Sequence, residues 1–479
     1  MIKSWSYRAV AVGLLAGGVL LAATGGCRRS DERTADGRII VTYWEKWTGF
    51  ERDAMQAVVD DFNRSQTRLE VRMLTVSTVE QKFMMATAGG NPPDVVGLWS
   101  PSVNVYSEKG ALTPLDKLAA EAGLAREQYI PVYWDLCRHR DFLWALPSTP
   151  ATVALHWNKR LFREAGLDPE RPPRTLAELA TMNERLTIVE IQRNGKLERV
   201  RFPDLTAAER ASHQFEIAQL GFTPAEPGWW NPMWVYWFGG DLWNGRDRVT
   251  PATPENLAMM NWYRGYADTY GLENLRRFGS SFGNFSSPQN PFLAEKIAMV
   301  LQGVWMYNFI DKYAPTIEWG AAAMPAAGDG TGAPVTIAET DVLAIPRGAR
   351  HPREGFAFIR YVNTQPVLEK LNLAQRKFSP LAVQADAFRK AHPNPTIDVF
   401  RNLAFSPAVR IAPRLVIWNE YAIEMNVAMD RVFSGLAEPG AELQAVQERV
   451  QWKLDRVNRR WEYTGSQRQQ EWRLTRDAL

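Results

Sequence analysis

Hydrophobic and polar positions change period several times over the first hundred residues. Arg38–Tyr43 (RIIVTY) reads as a β-run. Phe50–Ser65 places Met55, Val58, Val59 and Phe62 on one helical face. Leu69–Val76 alternates as a second strand, and Val79–Ala88 is helical and stops at Gly89-Gly90. Asp94–Leu98 (DVVGL) is a buried strand that delivers Trp99 at its carboxyl end. Strands alternating with helices predict a parallel sheet covered by helices. Ligands of such sheets sit beyond the carboxyl ends of the strands, where Trp44, Glu45, Trp47 and Trp99 fall.

The pattern continues with Phe142–Pro147 (FLWALP) and Ala151–Trp157 (ATVALHW), two strands around Ser148-Thr149-Pro150. Asn158–Asp168 is a helix with a glycine stop, and Thr175 starts another. Asn194-Gly195 between two β-runs is a hairpin signal. Tyr463–Leu479 is polar without an apolar period and reads as an exposed tail.

Trp229–Trp243 (WWNPMWVYWFGGDLW) breaks the rhythm by holding five of the chain's nineteen tryptophans. Asn231-Pro232 predicts a helix start and Gly239-Gly240 its stop. Any one of these rings could be core. So short a helix, however, carries rings on every face, which predicts that one side packs while Trp229 and Trp230 face a ligand cleft.

Composition adds three points. The chain has 479 residues, enough for two or three domains, is 46% hydrophobic and 23% charged, and is unusual only in its tryptophan. Lys3 and Arg8 precede the apolar run Ala9–Ala23, which is short for a membrane span, and Leu21–Cys27 (LAATGGC) follows. This resembles a bacterial lipoprotein signal, with Thr24 where an apolar residue is usual. The resemblance implies lipidation at Cys27, an anchor in a membrane and a flexible tether through Gly37. An ordinary secretory signal with an incidental cysteine is the alternative. Loss of residues 1–26 removes Lys3 and Arg8 alone and brings the formal charge from +3 to +1. No basic stripe interleaves with the aromatics, so nucleic acid is not expected. Cys137 is then the lone thiol, and the five histidines show no ligand spacing, so neither a disulfide nor a metal site is expected, and no cofactor.

Taken together, VTYWEKWTGFE, AGGNPPDVVGLW, KGALTPLD, ALPSTPATVALHWNKRLFREAGLDPERPPRTLAEL, WFGGDLW, NPFLAEKIAMVLQGVWMYNF, ETDVLAIPRGARHPREGFAFIRYVN and KFSPL resemble an extracellular solute-binding protein of an ABC sugar importer, the broad class that includes maltose-binding protein. They run in the family's order over residues 38–462. The resemblance implies an α/β, two-lobed periplasmic-binding-protein fold (type II). Each lobe would be a sheet flanked by helices, joined by a hinge crossed three times. The crossings fall near Pro147–Pro150, Glu339–Val342 and Phe405–Pro407. The implied division is a signal over 1–26, a tether over 27–37, an N-terminal lobe of 38–148 with 340–405, a C-terminal lobe of 149–339 with 406–462, and a polar tail from 463. The implied function is binding of a carbohydrate between the lobes by a monomer and its delivery to membrane permease subunits, without catalysis.

A sugar ring offers a flat C–H patch and a rim of hydroxyls, which suit aromatic faces and carboxylates, amides or cations respectively. The candidate ligand-binding residues are Trp44, Glu45, Trp47 and Trp99 from the first lobe and Trp229, Trp230, Trp234 and Asp241 from the second. Trp305 in Gly303-Val304-Trp305 and Trp418 match the family's pattern. Trp305 could instead pack beneath the sheet. Asp341 could reach a hydroxyl or cap a turn. Lys377 and Phe378 follow as secondary candidates. Three other functions fit some of these features: a glycoside hydrolase, for which no motif sets two acids as a pair; a binder of a betaine-like quaternary ammonium; and a membrane scaffold or sensor.

Overall fold

The computed structural model describes residues 33–479; the signal and Cys27 lie outside the described residues. The first unit forms as its periodicity dictates. β1 (Ile39–Glu45) pairs in parallel with β2 (Leu69–Thr75) and with β3 (Val95–Trp99). α1 (Gly49–Ser65) buries Ala54, Met55, Val58, Val59 and Phe62 against them, and α2 (Val79–Ala88) buries Val79 and Phe83. Asn194 and Gly195, both at positive φ, turn strand Ile188–Arg193 back onto strand Lys196–Arg201, as the hairpin signal predicts.

Two strands run through both lobes. The Ala145–Asn158 strand is buried along its whole length. Its first half pairs with the end of the Thr336–Ala344 strand, whose Asp341–Ala344 segment also pairs with β3. Its second half pairs with strands Met299–Gly303 and Trp319–Ala322. The two runs expected around Ser148–Pro150 are therefore one strand. Prolines 147 and 150 are accommodated beside an irregularity in register between Asp341 and Val342, which relaxes the need for a complete ladder. Helix Ile397–Ala404 leads to the short strand Val409–Arg410, which pairs with the start of the Thr336–Ala344 strand.

The first lobe packs around Val41, Tyr43, Phe62, Val95 and Phe358, the second around Leu155, Phe222, Trp234, Trp237 and Met299. A smaller apolar cluster where the long strands cross includes Tyr133, Ala154, Phe378 and Phe400.

The chain end differs from expectation. Pro439–Ala478 is a single 40-residue helix, not an exposed tail. Its first half contributes Leu443, Val446, Val450 and Leu454 to the second lobe's core, and Trp472 is buried in the first lobe's. Trp472 stands edge-on to Trp144 (centroids 5.0 Å) and Phe142 (5.6 Å), and Arg468 donates to the Glu108 carbonyl. Trp461, Gly465 and Trp472 fall on one helical face, so a few large contacts replace a dense apolar period. The segment is a strap across both lobes. Among the described residues no helix is long and apolar enough to cross a membrane.

Candidate functional site

Beyond β1 the chain places Lys46 and Trp47 in a loop, and α1 begins at Gly49 (φ +59), putting Phe50 and Glu51 in its first turn. β3 ends at Trp99, which pairs directly with Asp341, and Asp341 pairs on its other side with Thr149. Glu339 lies two residues before Asp341, so strand periodicity puts both on one face.

The second lobe answers with aromatics. Trp305 follows strand Met299–Gly303, and Trp229 lies 6.2 Å from it, ring to ring. Phe285 meets Trp229 edge-on at 4.4 Å and Phe309 at 5.2 Å. Phe309 in turn faces Phe50 of the first lobe at 6.4 Å. On the first lobe Trp47 and Trp99 are perpendicular at 5.7 Å. Between the two walls is a cavity of about 380 Å³, bordered also by Thr149, Glu339, Asp341 and Lys377.

Behind this aromatic lining is a buried chain of charge. Lys46 Nζ is 3.0 Å from Asp341 Oδ1 and 3.4 Å from Glu45 Oε1. Lys377 Nζ is 3.5 Å from Asp341 Oδ2 and 3.0 Å from Glu51. Trp47 Nε1 donates to Asp341 Oδ2 at 3.1 Å, and the Thr149 hydroxyl also donates to it. Burial favours a neutral Asp341, but Lys46 and Lys377 outweigh it and hold the carboxyl below its usual range. Burial likewise opposes the charge on both lysines, and the facing carboxylates overcome it and raise their pKa values. The ammonium of Lys46 lies 4.9 Å from the Trp47 ring centroid and 5.2 Å from that of Trp99, so the network also fixes these rings by cation–π attraction. Glu45 is 2% exposed, accepts from the Tyr43 hydroxyl and Lys46 N, and occupies room left by Gly97. A Cβ there would come 2.5 Å from its Oε2. Glu339 keeps part of its surface open. Burial, and then the Asp341 charge, push its carboxyl up to about 7.

Of the residues singled out from sequence, Trp47, Trp99, Trp229, Trp305 and Asp341 border the cavity together, with Lys377. The others stand elsewhere. Trp44 points to the opposite face of β1 from Glu45, against the first lobe's core. Glu45 is behind the lining. Trp230 is 4% exposed, donates to the Leu301 carbonyl and backs Trp305 at 6.2 Å. Trp234 is core, donating to the Pro224 carbonyl. The segment expected as a helix there, Asn231–Phe238, is a tighter 3₁₀ run that Gly239 ends at φ +77. Asp241 is exposed and accepts from the Leu242 and Trp243 amides, so it stabilises its own turn. Trp418 is buried edge-on to Tyr421, and Phe378 is wholly buried.

The sequence reading did not single out Phe50, Glu51, Thr149, Phe285, Phe309 or Glu339 as ligand candidates. Phe50 and Glu51 adjoin the WEKWTG loop, which was a usable signal. Phe309 stands in helix Met306–Tyr313, four residues after Trp305, while Phe285 is carried by a loop and has no such signal.

The model of the bacterial extracellular solute-binding protein family matches residues 51–367, and the chain belongs to that family. A putative binding protein of Brucella abortus (strain 2308) is 22% identical over 443 residues, covering 92% of this chain and 97% of its own. Among solved structures, mannobiose-bound CpMnBP1 superimposes with a TM-score of 0.71 at 25% identity, covering 85% of this chain and 98% of that one. UgpB of Mycobacterium tuberculosis in complex with glycerophosphocholine gives 0.68 at 21%, covering 88% and 100%.

Proposed function

We propose that this protein binds a carbohydrate between its lobes and delivers it to the permease subunits of an ABC transporter. The supporting observation is the pairing of Trp47 and Trp99 on one lobe with Trp229 and Trp305 on the other, across one cavity. Flat rings on both sides suit the C–H faces of a sugar, while Glu51, Glu339, Thr149 and Lys377 supply acceptors and donors for hydroxyls. The ligand-bound form differs from the free one by its lobe arrangement, and ligand shifts that population through its preference for one arrangement. CpMnBP1, the structural relative at 25% identity, holds mannobiose, which makes short oligosaccharides the first ligands to try. Export, lipidation at Cys27 and tethering to a membrane complete the proposal. No chemistry is part of it: Asp341 is held by two lysines, and Glu45 is shut behind the lining, so neither is placed to serve as one of a catalytic pair.

A second reading has one observation in its favour. The UgpB relative holds glycerophosphocholine, and an aromatic lining beside Glu339 also suits a quaternary ammonium. A thermal-shift screen of the purified protein against manno- and maltooligosaccharides, monosaccharides, betaine and glycerophosphocholine separates the two, since a ligand of the native state raises the melting point. Stabilisation by an oligosaccharide alone supports the proposal. Stabilisation by the choline compounds alone replaces it with the second reading.

A further inference from the structure

Outside the aromatic cavity, a groove of about 710 Å³ lies where both lobes meet the strap helix. It shares no bordering residue with the aromatic cavity. The first lobe contributes the Asp135–Asp141 region, the second contributes the turns at Trp243–Arg246 and Arg414–Val416, and the strap contributes Leu454, Val457 and Asn458.

Its charge is uneven. Arg138, Arg140, Arg246 and Arg414 border it, against Asp135 and Asp141. Asp135 is already held by Arg126, at 2.9 and 2.7 Å. Arg140 has Glu108 at 3.5 Å and lies over the Trp461 ring at 4.1 Å. The other three guanidinium groups have no carboxylate within ion-pair distance among the described residues. Arg138 donates to the Asp141 carbonyl and Arg414 to the Asp135 carbonyl, contacts that orient each fork without neutralising it. The side chain of Arg246 is exposed and makes no hydrogen bond among the described residues. A second, independent feature is Trp243, whose Nε1 is buried without a hydrogen-bond partner. Buried indole N–H groups ordinarily find an acceptor. The apolar floor is Leu415, Val416, Leu454 and Val457.

We propose that this groove is a second ligand site, for a small oxyanion that carries two or more negative charges. The arginine forks from both lobes take the charged oxygens, and the Trp243 indole with the apolar floor takes the rest of the molecule. The assignment stands apart from the reading of the aromatic cavity, and neither depends on the other.

Isothermal titration of the purified full chain with inorganic pyrophosphate, citrate and glucose 6-phosphate tests it. Wild-type protein is expected to bind at least one of them saturably. Binding is expected to fall about tenfold or more in Arg138→Gln/Arg414→Gln, as loss of charge-assisted bonds implies. Arg246→Gln, a change at an exposed side chain with no partner to lose, should also weaken it while leaving the melting temperature in place. Trp305→Ala should leave anion binding as it was. The absence of saturable binding by all three anions overturns the proposal. Binding that survives the arginine changes but is lost in Trp305→Ala overturns it too, by placing the anion in the aromatic cavity.

Discussion

The indole of Trp305 lies across the backbone of Gly303, so closely that a Cβ at residue 303 would stand 2.3 Å from the ring's Cη2. The glycine is therefore the seat of the ring. Gly303→Ala is expected to displace Trp305 and cost about 1–3 kcal/mol of stability, in the manner of overpacking. A denaturant titration measures that cost, and loss of ligand binding should accompany it. An unchanged midpoint and affinity would mean that the ring position is not set by this contact.

Trp305 and Trp234 should separate by their effects. Trp305→Ala removes a ring that borders the cavity and is expected to weaken ligand binding by about 2 kcal/mol. Trp234→Ala opens a hole in the second lobe's core and is expected to cost about 3–5 kcal/mol of stability. Calorimetry with the ligand found by the screen, paired with thermal melts, distinguishes the two outcomes.

Asp341→Asn should be severe. It leaves Lys46 and Lys377 facing each other with one negative charge fewer, and removal of one member of a buried ion pair costs about 3–5 kcal/mol. The same carboxylate gives the wild type an acid dependence. Its folded pKa is depressed, so its stabilisation is complete above the ordinary carboxylate value and disappears as pH falls through the folded one. Urea midpoints between roughly pH 5 and pH 2.5, a span that brackets the usual carboxylate values and extends below them, should show a larger loss in the wild type than in Asp341→Asn.

Glu339 has the opposite sign. Its folded pKa of about 7 is raised, so the native protein keeps a proton that the unfolded chain releases. Its stabilising contribution is full below the unfolded carboxylate value and is lost as pH rises through about 7. Glu339→Gln should remove that slope, and melting curves from acid to mildly alkaline pH, with the wild type as reference, would show it. Equal slopes in the two proteins would rule out protonated Glu339 in the native state.

Trp472→Ala should destabilise the first lobe, about 50 Å of helix away from where the strap begins, by about 3–5 kcal/mol. Hydrogen exchange should report the loss around Phe142 and Trp144, the rings it touches. Faster exchange confined to the strap itself would show that Trp472 is not part of that core.

The sequence was legible where one period held over a whole element. α1 declared its buried face through Met55, Val58, Val59 and Phe62, and the hairpin declared its turn through Asn194-Gly195. It misled where punctuation and packing disagree: the prolines at 147 and 150 suggested a break in a strand that runs through. Trp44 shows how one residue of strand length matters. Once β1 extends to Glu45, alternation turns Trp44 away from the face that carries Glu45. Phe285 reaches the cavity only through the tertiary folding of a loop, which local pattern does not encode. The strap carried its message in three residues, Trp461, Gly465 and Trp472, too widely spaced for an amphipathic signature.

That strap also sets terms for movement. An unbroken rod fastened to both halves of a clam cannot stay straight and keep both fastenings while the shells swing. Either Trp472 shifts in its socket or the rod yields. Gly465, under the ring of Trp461, is the interior position with the least intrinsic preference for helix, so that is where bending would begin. The resistance of this one element would then meter how far the shells travel, and with it how readily cargo is let go.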